Sequence, residues 1–310
     1  MSVIVCAYTE ERLDNLGALL AGLPEQSYGA PETIVVVDRN PALAATLEAR
    51  FPLATVVEND GPRGHAGAAN HGLELASGDI VAFIDDDAVP ADRSWLAWLV
   101  DGYDRPEVLG VGGLIEPRWL APRPRWFPEE FLWVVGGSHT GLPRERGQVR
   151  NLWMGNMSVR RAVLDEIGAF KTSLSRVGKR PFGVQETELC IRAAQRWPEG
   201  VFVHEPRARV LHDVPAVRTT FGYFRLHCYD EAVAKVWMSR HVGSQDGLSA
   251  ERDYLTRTLP AGIARGVGDA LLRRDPSGFG RAAAIVAGAG AAGWGYVRAR
   301  LAGGAVDGGA

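Results

Sequence analysis

The chain has 310 residues, of which 46% are hydrophobic and 23% are charged. This balance is typical of a folded globular protein and excludes wholesale disorder. Thirty-four basic residues against 37 acidic ones leave a formal net charge of −3, so we expect no nucleic-acid partner. The three cysteines, Cys6, Cys190 and Cys228, lie far apart and form no C-x-x-C motif. This usage is typical of a reducing compartment and predicts a cytoplasmic protein.

Two apolar segments bear on targeting, and neither predicts a membrane span. The N-terminus has no basic leader, and its apolar run at 3–8 is too short for the core of a signal peptide. The segment 282–297 holds sixteen uncharged residues between Arg281 and Arg298. As a helix it would be roughly 24 Å long, which is short of the ~30 Å hydrocarbon core of a bilayer.

The first hundred residues alternate strand and helix signals. In chain order the sequence predicts strand 2–7, helix 10–23, strand 34–37, a helix from Pro41, strand 54–57, helix 66–76 and strand 80–84. Continuous β-branched strands separated by helices predict an α/β fold with a mostly parallel central sheet flanked by helices. Ligands bind at the carboxyl ends of the strands in such sheets, and Asp38 and Asp85 lie at two of these ends.

The chain changes character after about residue 110, so we divide it into segments 1–110, 111–215 and 216–310. The stretch 117–153 is rich in proline, glycine and tryptophan. We interpret it as an ordered acceptor-binding loop, with a hydrophobic lid as the alternative.

The remaining elements are predicted to be mainly helical. The sequence predicts helices at 163–167 and 187–197, strands at 201–203 and 208–211, and helix through most of 216–310. Residues 252–310 hold eight Arg against four Asp, so this helical tail is basic although the whole chain is acidic. Its end, 303–310, is expected to be disordered.

Three adjacent carboxylates, Asp85, Asp86 and Asp87, close the apolar strand 80–84. Adjacent carboxylates repel one another unless a cation or hydrogen-bond donors offset the repulsion. A hard divalent ion such as Mg²⁺ or Mn²⁺ takes oxygen ligands and often shares its shell with phosphate oxygens. The triplet therefore predicts a metal held against a diphosphate, and the alternative is a solvated acidic turn or helix cap.

Two groups at neighbouring strand ends are candidates for binding a nucleoside. Asp38 could accept a hydrogen bond from a base or a ribose, and the loop Tyr8-Thr9-Glu10 could flank the base. The alternatives are a turn aspartate before Pro41 and a helix cap by Thr9.

Glu186 and His212 are further candidates for chemistry. Glu186 is predicted at the N-terminus of a helix, whose dipole favours the ionised carboxylate, so it is a candidate general base. The alternative is that it only stabilises the first turn. Glu188 and Arg192 are expected to pair at i,i+4 on the same helix. His212 follows a strand and could bind the metal or a phosphate, or it could be an ordinary surface or core histidine.

Taken in order, these motifs resemble the family-2, inverting glycosyltransferases of the GT-A fold, and most closely a branch common in actinobacteria. The matching stretches are CAYTEER at 6–12, VVVD at 35–38, FIDDD at 83–87, GNMS at 155–158, ETELC at 186–190, and His212 with Val214-Pro215. Their order and spacing are far more specific than any one of them.

The resemblance implies roles for the matching residues. It places Asp85, Asp87 and His212 at the metal, Asp85 and Asp86 at the donor diphosphate, Tyr8, Thr9, Glu10 and Asp38 at the nucleoside, and Glu186 as the catalytic base. Segment 1–110 would then be the nucleotide-sugar-binding half, 111–215 the acceptor-binding and catalytic half, and 216–310 a helical extension.

The chain departs from the family pattern at two positions. The family usually has Glu-Asp where this chain has Gln185-Glu186, so the base would be one methylene longer. The family also usually carries an Arg before the Asn of its third helix, whereas Ala69 precedes Asn70 here.

We therefore predict a metal-dependent inverting glycosyltransferase that uses Mn²⁺ or Mg²⁺ and a nucleotide-diphosphate sugar, in particular a UDP-sugar. The alternatives are a sugar-phosphate nucleotidyltransferase and a non-catalytic nucleotide-sugar-binding protein. The sequence leaves open the acceptor (a glycan, a lipid or a small metabolite) and the oligomeric state. The basic tail suggests either a peripheral contact with the cytoplasmic face of a membrane or packing against the catalytic part.

Overall fold

The computed structural model describes residues 1–175, 183–243 and 251–302. Its strands are β1 (Ser2–Ala7), β2 (Glu32–Val37), β3 (Thr55–Glu58), β4 (Ile80–Asp85), β5 (Ala88–Pro90), β6 (Val108–Trp119), β7 (Gly147–Val149), β8 (Asn156–Arg160) and β9 (Val201–Val214). Its α-helices are α1 (Leu13–Gly22), α2 (Pro41–Arg50), α3 (His65–Leu75), α4 (Trp95–Asp101), α5 (Arg161–Ile167), α6 (Gln185–Arg196), α7 (Phe221–Val242), α8 (Glu251–Asp253), α9 (Leu259–Leu272) and α10 (Ser277–Leu301). Short 3₁₀ helices cover Glu10–Arg12, Glu129–Val135, Thr172–Leu174 and Ala216–Thr219, and a π-helical turn covers Tyr254–Thr258.

The strands of the described ranges form one sheet in the order β3-β2-β1-β4-β8-β6-β9-β5, with β7 paired to β9. Strands β1 to β4 run parallel, while β8 runs antiparallel to both β4 and β6. The predicted α/β fold with flanking helices is confirmed, and its sheet is parallel over the first four strands and mixed beyond them. Strand β8 can run antiparallel because a long loop, rather than a crossover helix, connects it to β6.

The strands alternate their side chains between two cores. On β1, Val3 and Val5 pack with α1, α2 and α4 on one face of the sheet, while Ile4 packs with α3, α5 and α6 on the other. Local signals start the helices where the sequence predicts them. Asn40 accepts a hydrogen bond from Leu43 N at 3.1 Å at the start of α2, which is an N-cap.

A third core joins the C-terminal helices to the segment after β6. Phe127 and Phe131 from this segment pack with Phe224 of α7 and Ile285 of α10. Gly288 of α10 lies so close that an added Cβ would be 2.7 Å from Phe131 Cε1. The region after residue 215 is therefore packed against the segment that follows β6. No helix in the described ranges is long and apolar enough to cross a membrane. The terminus 303–310, for which we expect disorder, lies outside the described residues.

The two strands predicted at 201–203 and 208–211 form a single strand, β9, with an irregular register. Gly113 of β6 pairs with Glu205, but the next residue, Leu114, pairs with Arg209. At this bulge, Asn156 Nδ2 donates a hydrogen bond to Ala208 O at 2.8 Å. A bulge of this kind bends the strand, so β9 stays paired with β6 on both sides of the irregularity.

Glu205, next to this bulge, is a carboxylate with a fully buried side chain that accepts hydrogen bonds on both of its oxygens. Its Oε1 accepts hydrogen bonds from Arg207 N at 3.0 Å and Arg207 Nε at 2.8 Å. Its Oε2 accepts from Arg146 Nε at 2.6 Å and Arg207 Nη2 at 2.7 Å. Burial raises the pKa of Glu205, but these hydrogen bonds more than offset burial and lower the pKa from 4.5 to about 2.

We predict that Glu205→Gln lowers the free energy of unfolding at pH 7 by about 3 kcal/mol, because it removes the charge that two guanidinium groups face. A depressed folded-state pKa contributes stability that is full above the unfolded value of 4.5 and is lost as the pH falls toward 2. Urea unfolding of wild type and variant should therefore give a smaller difference at about pH 3 than at pH 7. The exposed-site control Glu107→Gln should change neither value, and an equal difference at both pH values would contradict this account of Glu205.

Candidate active site

A cleft of about 540 Å³ opens at the carboxyl end of β4. Its walls come from the sheet, the loop between β6 and β8, the start of α6 and one side of α7. Asp85, Glu186 and His212, three of the residues singled out from the sequence, all line it. The fold thus brings Asp85 to the same cleft as two side chains that lie more than a hundred residues further along the chain.

Asp85, Asp87 and His212 form a compact group of possible metal ligands. One ligand atom from each lies within 4.8 Å of the other two. His212 Nε2 is 3.1 Å from Asp87 Oδ1 and 4.0 Å from Asp85 Oδ2. Strand pairing sets this arrangement, because His212 of β9 lies opposite Ala88 of β5, directly after the triplet.

These spacings fit a divalent ion. Ligands at about 2.1 Å in an octahedral shell are about 3.0 Å apart in neighbouring positions and about 4.2 Å apart in opposite ones. The distances from His212 Nε2 to the two carboxylates fall at these two values. Carboxylate oxygens suit Mg²⁺ and Mn²⁺, and imidazole nitrogen suits transition metals, so the mixed set is chemically suited to a divalent ion.

Arg12, the last residue of the first 3₁₀ turn, lies on the other side of the triplet. Its guanidinium pairs with the Asp86 carboxylate and, through Nη2 at 2.9 Å, with Asp87 Oδ2. Asn15 Nδ2 also donates to Asp86 O at 2.9 Å. Asp86 is only 2% exposed. The structure therefore places the Asp86 carboxylate against Arg12 inside the protein, not on the cleft wall where the resemblance implies a donor contact.

The surroundings of the triplet shift the pKa values of Asp86 and Asp87 in opposite directions. Burial raises the pKa of Asp86 to about 7, even though Arg12 opposes this shift. Burial would also raise the pKa of Asp87, but His212, Arg12 and Arg218 hold it well below its usual range. These charges therefore favour the ionised form of Asp87, which is the form that binds a cation.

Two glycines make room for this group. A Cβ on Gly155, in the loop before β8, would be 2.8 Å from Asp85 Oδ2. A Cβ on Gly136, whose φ is +86°, would be 2.7 Å from His212 Cε1. Only glycine fits the backbone at both positions without displacing a ligand side chain.

The structure adds two basic residues that the sequence analysis missed. His65, the first residue of α3, has Nε2 at 3.6 Å from Asp85 Oδ1. Arg218, in the turn before α7, has Nη2 at 3.7 Å from Asp87 Oδ2. Both line the cleft. Neither lies in a motif, so no local signal in the sequence identified them.

Glu186 lies in the first turn of α6 and faces the cleft, as expected for a helix N-terminus. The predicted Glu188–Arg192 pair is confirmed, with Arg192 Nε at 3.0 Å from Glu188 Oε1. This pair belongs to a larger buried network, because Glu188 is fully buried and also forms an ion pair with Lys171 Nζ at 2.9 Å. Arg192 further donates to the carbonyls of Gly168 and Ala169, both at 3.0 Å. This network ties α6 to the segment after α5 and thereby fixes the position of Glu186.

The candidate nucleoside residues lie at the ends of β1 and β2 but do not line this cleft. Asp38 accepts hydrogen bonds from Asn59 Nδ2 at 2.8 Å and Gly64 N at 3.0 Å, so its carboxylate holds the loop that leads into α3. Thr9 caps the first 3₁₀ turn by accepting from Glu11 N at 3.3 Å. Tyr8 is half exposed, and Glu10 is exposed. These residues follow the carboxyl ends of β1 and β2, which are the same edge of the sheet at which the triplet follows β4.

The tryptophans of the segment 117–153 do not act as one surface. Trp133 and Trp153 line the cleft. Trp126 instead packs in the third core, with ring centroids 5.2 Å from Phe221 and 5.5 Å from Phe224. Trp133 and Trp153 thus lie where an acceptor loop would need them, whereas Trp126 is partly buried against the third core. The acceptor-loop interpretation stays a prediction.

Helix α7 contributes a row of four polar residues to the cleft. Tyr223, His227, Glu231 and Lys235 all line it. They are four residues apart, so they lie on one face of the helix over about 18 Å. Trp133 Nε1 donates to Tyr254 OH at 2.9 Å, and Tyr254 lines the cleft beyond α7. The C-terminal region therefore forms a wall of the cleft.

Comparison with known proteins identifies the family. The profile described as "Glycosyl transferase family 2" matches residues 2–168, which run from β1 to just beyond α5. The "Glucosyl-dolichyl phosphate glucuronosyltransferase" of Haloferax volcanii is 34% identical over 239 residues, which cover 76% of each chain. The chain belongs to glycosyltransferase family 2. The predicted enzyme class, a glycosyltransferase, is thereby confirmed, while the actinobacterial branch stays a prediction.

Solved structures show the same fold at low identity. Mannosyltransferase PcManGT from Pyrobaculum calidifontis, in complex with GDP-Man and Mn²⁺, matches with a TM-score of 0.59 and 20% identity over 94% of this chain and 86% of its own. GalNAc-T7 with UDP, GalNAc and Mn²⁺ matches with a TM-score of 0.54 and 16% identity over 75% of this chain and 50% of its own. The expected GT-A-type fold is confirmed.

Proposed function

We propose that this family-2 enzyme is a metal-dependent inverting glycosyltransferase that moves a sugar from a nucleotide-diphosphate donor to an acceptor hydroxyl. The observation that carries the proposal is that Asp85 and His212, two members of the group of possible metal ligands, line the same cleft as Glu186. The two structural neighbours named above with Mn²⁺ support the metal. Their donors differ in the base, so the UDP-sugar is the finer part of the proposal.

Asp85, Asp87 and His212 would hold the divalent ion. When bound, such an ion acts as a Lewis acid on phosphate oxygens and stabilises the departing diphosphate. Arg218, which already faces Asp87, adds a fixed positive charge at the same place. The Tyr8–Glu10 loop and Asp38 would lie on the nucleoside side, at the neighbouring strand ends.

Glu186 would act as the base from the α6 wall. Its carboxylate takes the proton of the acceptor hydroxyl, and the hydroxyl oxygen forms a bond to the anomeric carbon. The bond from that carbon to the diphosphate oxygen breaks, and the nucleoside diphosphate leaves with the electron pair. One direct displacement from the face opposite the diphosphate inverts the anomeric centre.

The acceptor is proposed to be a glycan carried on a lipid phosphate. The Haloferax relative is named for a glucosyl-dolichyl phosphate and is similar over three quarters of the chain. The α7 row offers aromatic, imidazole, carboxylate and ammonium groups, which suit the hydroxyls and ring faces of sugars. Arg150 and Lys235, which also line the cleft, would suit a phosphate.

We predict that Glu186→Gln lowers kcat by about 10²–10⁴-fold, because the amide cannot accept the proton. Donor affinity should stay at the wild-type value, since the substitution leaves the metal group untouched. The measurements are initial rates with a saturating acceptor and calorimetry with the donor. Glu199→Gln, the same exchange at an exposed site beyond α6, is the control. Wild-type turnover in the Glu186 variant would refute its role as base.

We predict that Asp85→Asn lowers the affinity for Mn²⁺, measured by calorimetry in the presence of UDP, by at least about tenfold. Asp85 is the sharpest choice because Arg12 pairs with Asp86 and Asp87 but not with Asp85, so the fold should keep its stability. Asp60→Asn, on an exposed loop, serves as the control. Unchanged Mn²⁺ binding would mean that the His212–Asp87 contact is an ion pair and not half of a metal site.

We predict that Trp133 and Trp126 differ in their effects when each is changed to Ala. Trp133→Ala should raise the acceptor KM by about tenfold and leave the donor KM unchanged, because it removes an indole from the cleft wall. Trp126→Ala should lower the unfolding temperature and leave both KM values unchanged, because Trp126 packs in the third core. Steady-state kinetics with each substrate varied in turn, together with thermal unfolding, separates the two. Equal changes in acceptor KM would contradict the assignment.

A further inference from the structure

The outer face of α10 carries an unusual amount of exposed apolar surface. Its exposed side chains include Phe279 (51%), Val286 (59%), Trp294 (63%), Val297 (46%) and Leu301 (81%). Leu271 and Leu272, at the end of α9, are 65% and 86% exposed. A surface helix normally places charged and polar residues on its outer side.

These side chains form one continuous stripe. At about 100° per residue, all five on α10 fall within an arc of about 80° and extend over about 33 Å of helix. The positions between them on the same side are Ala283, Gly290 and Gly293, which are also exposed. We call this surface, defined by residues 279, 283, 286, 290, 293, 294, 297 and 301, the α10 stripe.

The opposite side of α10 is already occupied, so the stripe cannot rotate inward. Gly288 contacts Phe224 of α7, with an added Cβ only 2.9 Å from the ring. Gly295 is just as close to the backbone of Tyr229, and Arg240 Nη2 donates to Ala299 O at 3.4 Å. The fold therefore holds the stripe outward as a fixed surface.

Positive charge lies at both ends of the stripe. Arg273 and Arg274 are exposed in the turn before α10, and Arg298 and Arg300 are exposed at its end. By helical angle, the last two flank the stripe on its two sides. Two acids lie near this turn and are paired, Asp275 with Arg281 at 3.1 Å and Asp269 with Arg273 at 3.2 Å, which leaves Arg274 in excess. The surface is thus apolar along its length and cationic at its ends.

We propose that the α10 stripe binds the surface of an anionic lipid bilayer, with α10 lying in the plane of the headgroups. An amphipathic helix buries its apolar side at the headgroup boundary, Trp prefers that boundary, and arginines pair with anionic lipids. A second copy of the chain fits less well. Because both ends of the stripe carry arginines, parallel and antiparallel pairing of two stripes would each oppose cation to cation.

The proposed membrane binding does not depend on the proposed reaction, because vesicle binding can be measured without turnover. If the acceptor is a glycan on a lipid phosphate, the contact would hold the cleft at the membrane that carries it. Failure of the stripe would leave the roles of Glu186 and Asp85 untouched.

The test is flotation of the full-length protein with vesicles of phosphatidylcholine alone or with about 30 mol % phosphatidylglycerol. Wild type should float with the anionic vesicles and be released by high salt. The double variant Val286→Glu/Trp294→Glu should lower the partition coefficient by at least about tenfold. The control Leu53→Glu, at an 82% exposed leucine between α2 and β3, should float like wild type.

A second variant separates the two parts of the surface. Arg298→Glu/Arg300→Glu keeps the apolar stripe and should lose the preference for anionic over neutral vesicles. Three results would overturn the proposal: no flotation of wild type, an equal loss in Leu53→Glu, or a wild-type dimer without vesicle binding that becomes monomeric in Val286→Glu/Trp294→Glu by sedimentation velocity. The last result would assign the stripe to a second copy of the chain.

Discussion

The structure depends on how three adjacent carboxylates are kept at the end of one buried strand. Left alone, Asp85, Asp86 and Asp87 would repel one another and destabilise the fold. Arg12 from the start of the chain and His212 from β9 contact these carboxylates from different sides. Their attraction to the carboxylates offsets the repulsion and connects distant segments of the chain. The contact between His212 and Asp87 connects β9, in the mixed part of the sheet, to the end of the parallel strand β4. It also leaves Asp85 as the member of the triplet that faces the cleft.

The same arrangement explains why the cleft has its shape. The end of the cleft at Asp85 and His212 is fixed by ion pairs, whereas the far wall is fixed by packing. Glu188, buried with Arg192 and Lys171, holds α6 and with it the carboxylate of Glu186. Helix α7 is held by the third core, which the C-terminal helices complete. The C-terminal region therefore stabilises one side of the active site, and its last helix has only its outer face left for another surface.

Substrate specificity is expected to arise in two regions around the cleft. The proposed donor side consists of short loops at the ends of β1 and β2, where Asp38 is committed to Asn59 and Gly64. The proposed acceptor side is a long wall of aromatic and charged residues from α7 and the segment after β6. Because the fold fixes the metal group and Glu186 independently of these walls, the same chemistry can be kept while the substrates change.

The sequence by itself determined the local features: the buried strands, the carboxylate triplet at the end of β4 and the Glu188–Arg192 pair. These could be read because apolar alternation and i,i+4 spacing depend only on near neighbours. Tertiary structure alone decided that Asp86 turns to Arg12, that Trp133 faces the cleft while Trp126 enters the core, and that β8 inserts antiparallel between β4 and β6. Those outcomes depend on contacts with residues many tens of positions away in the chain. Tertiary packing determines these contacts, and a short-range sequence pattern does not predict them.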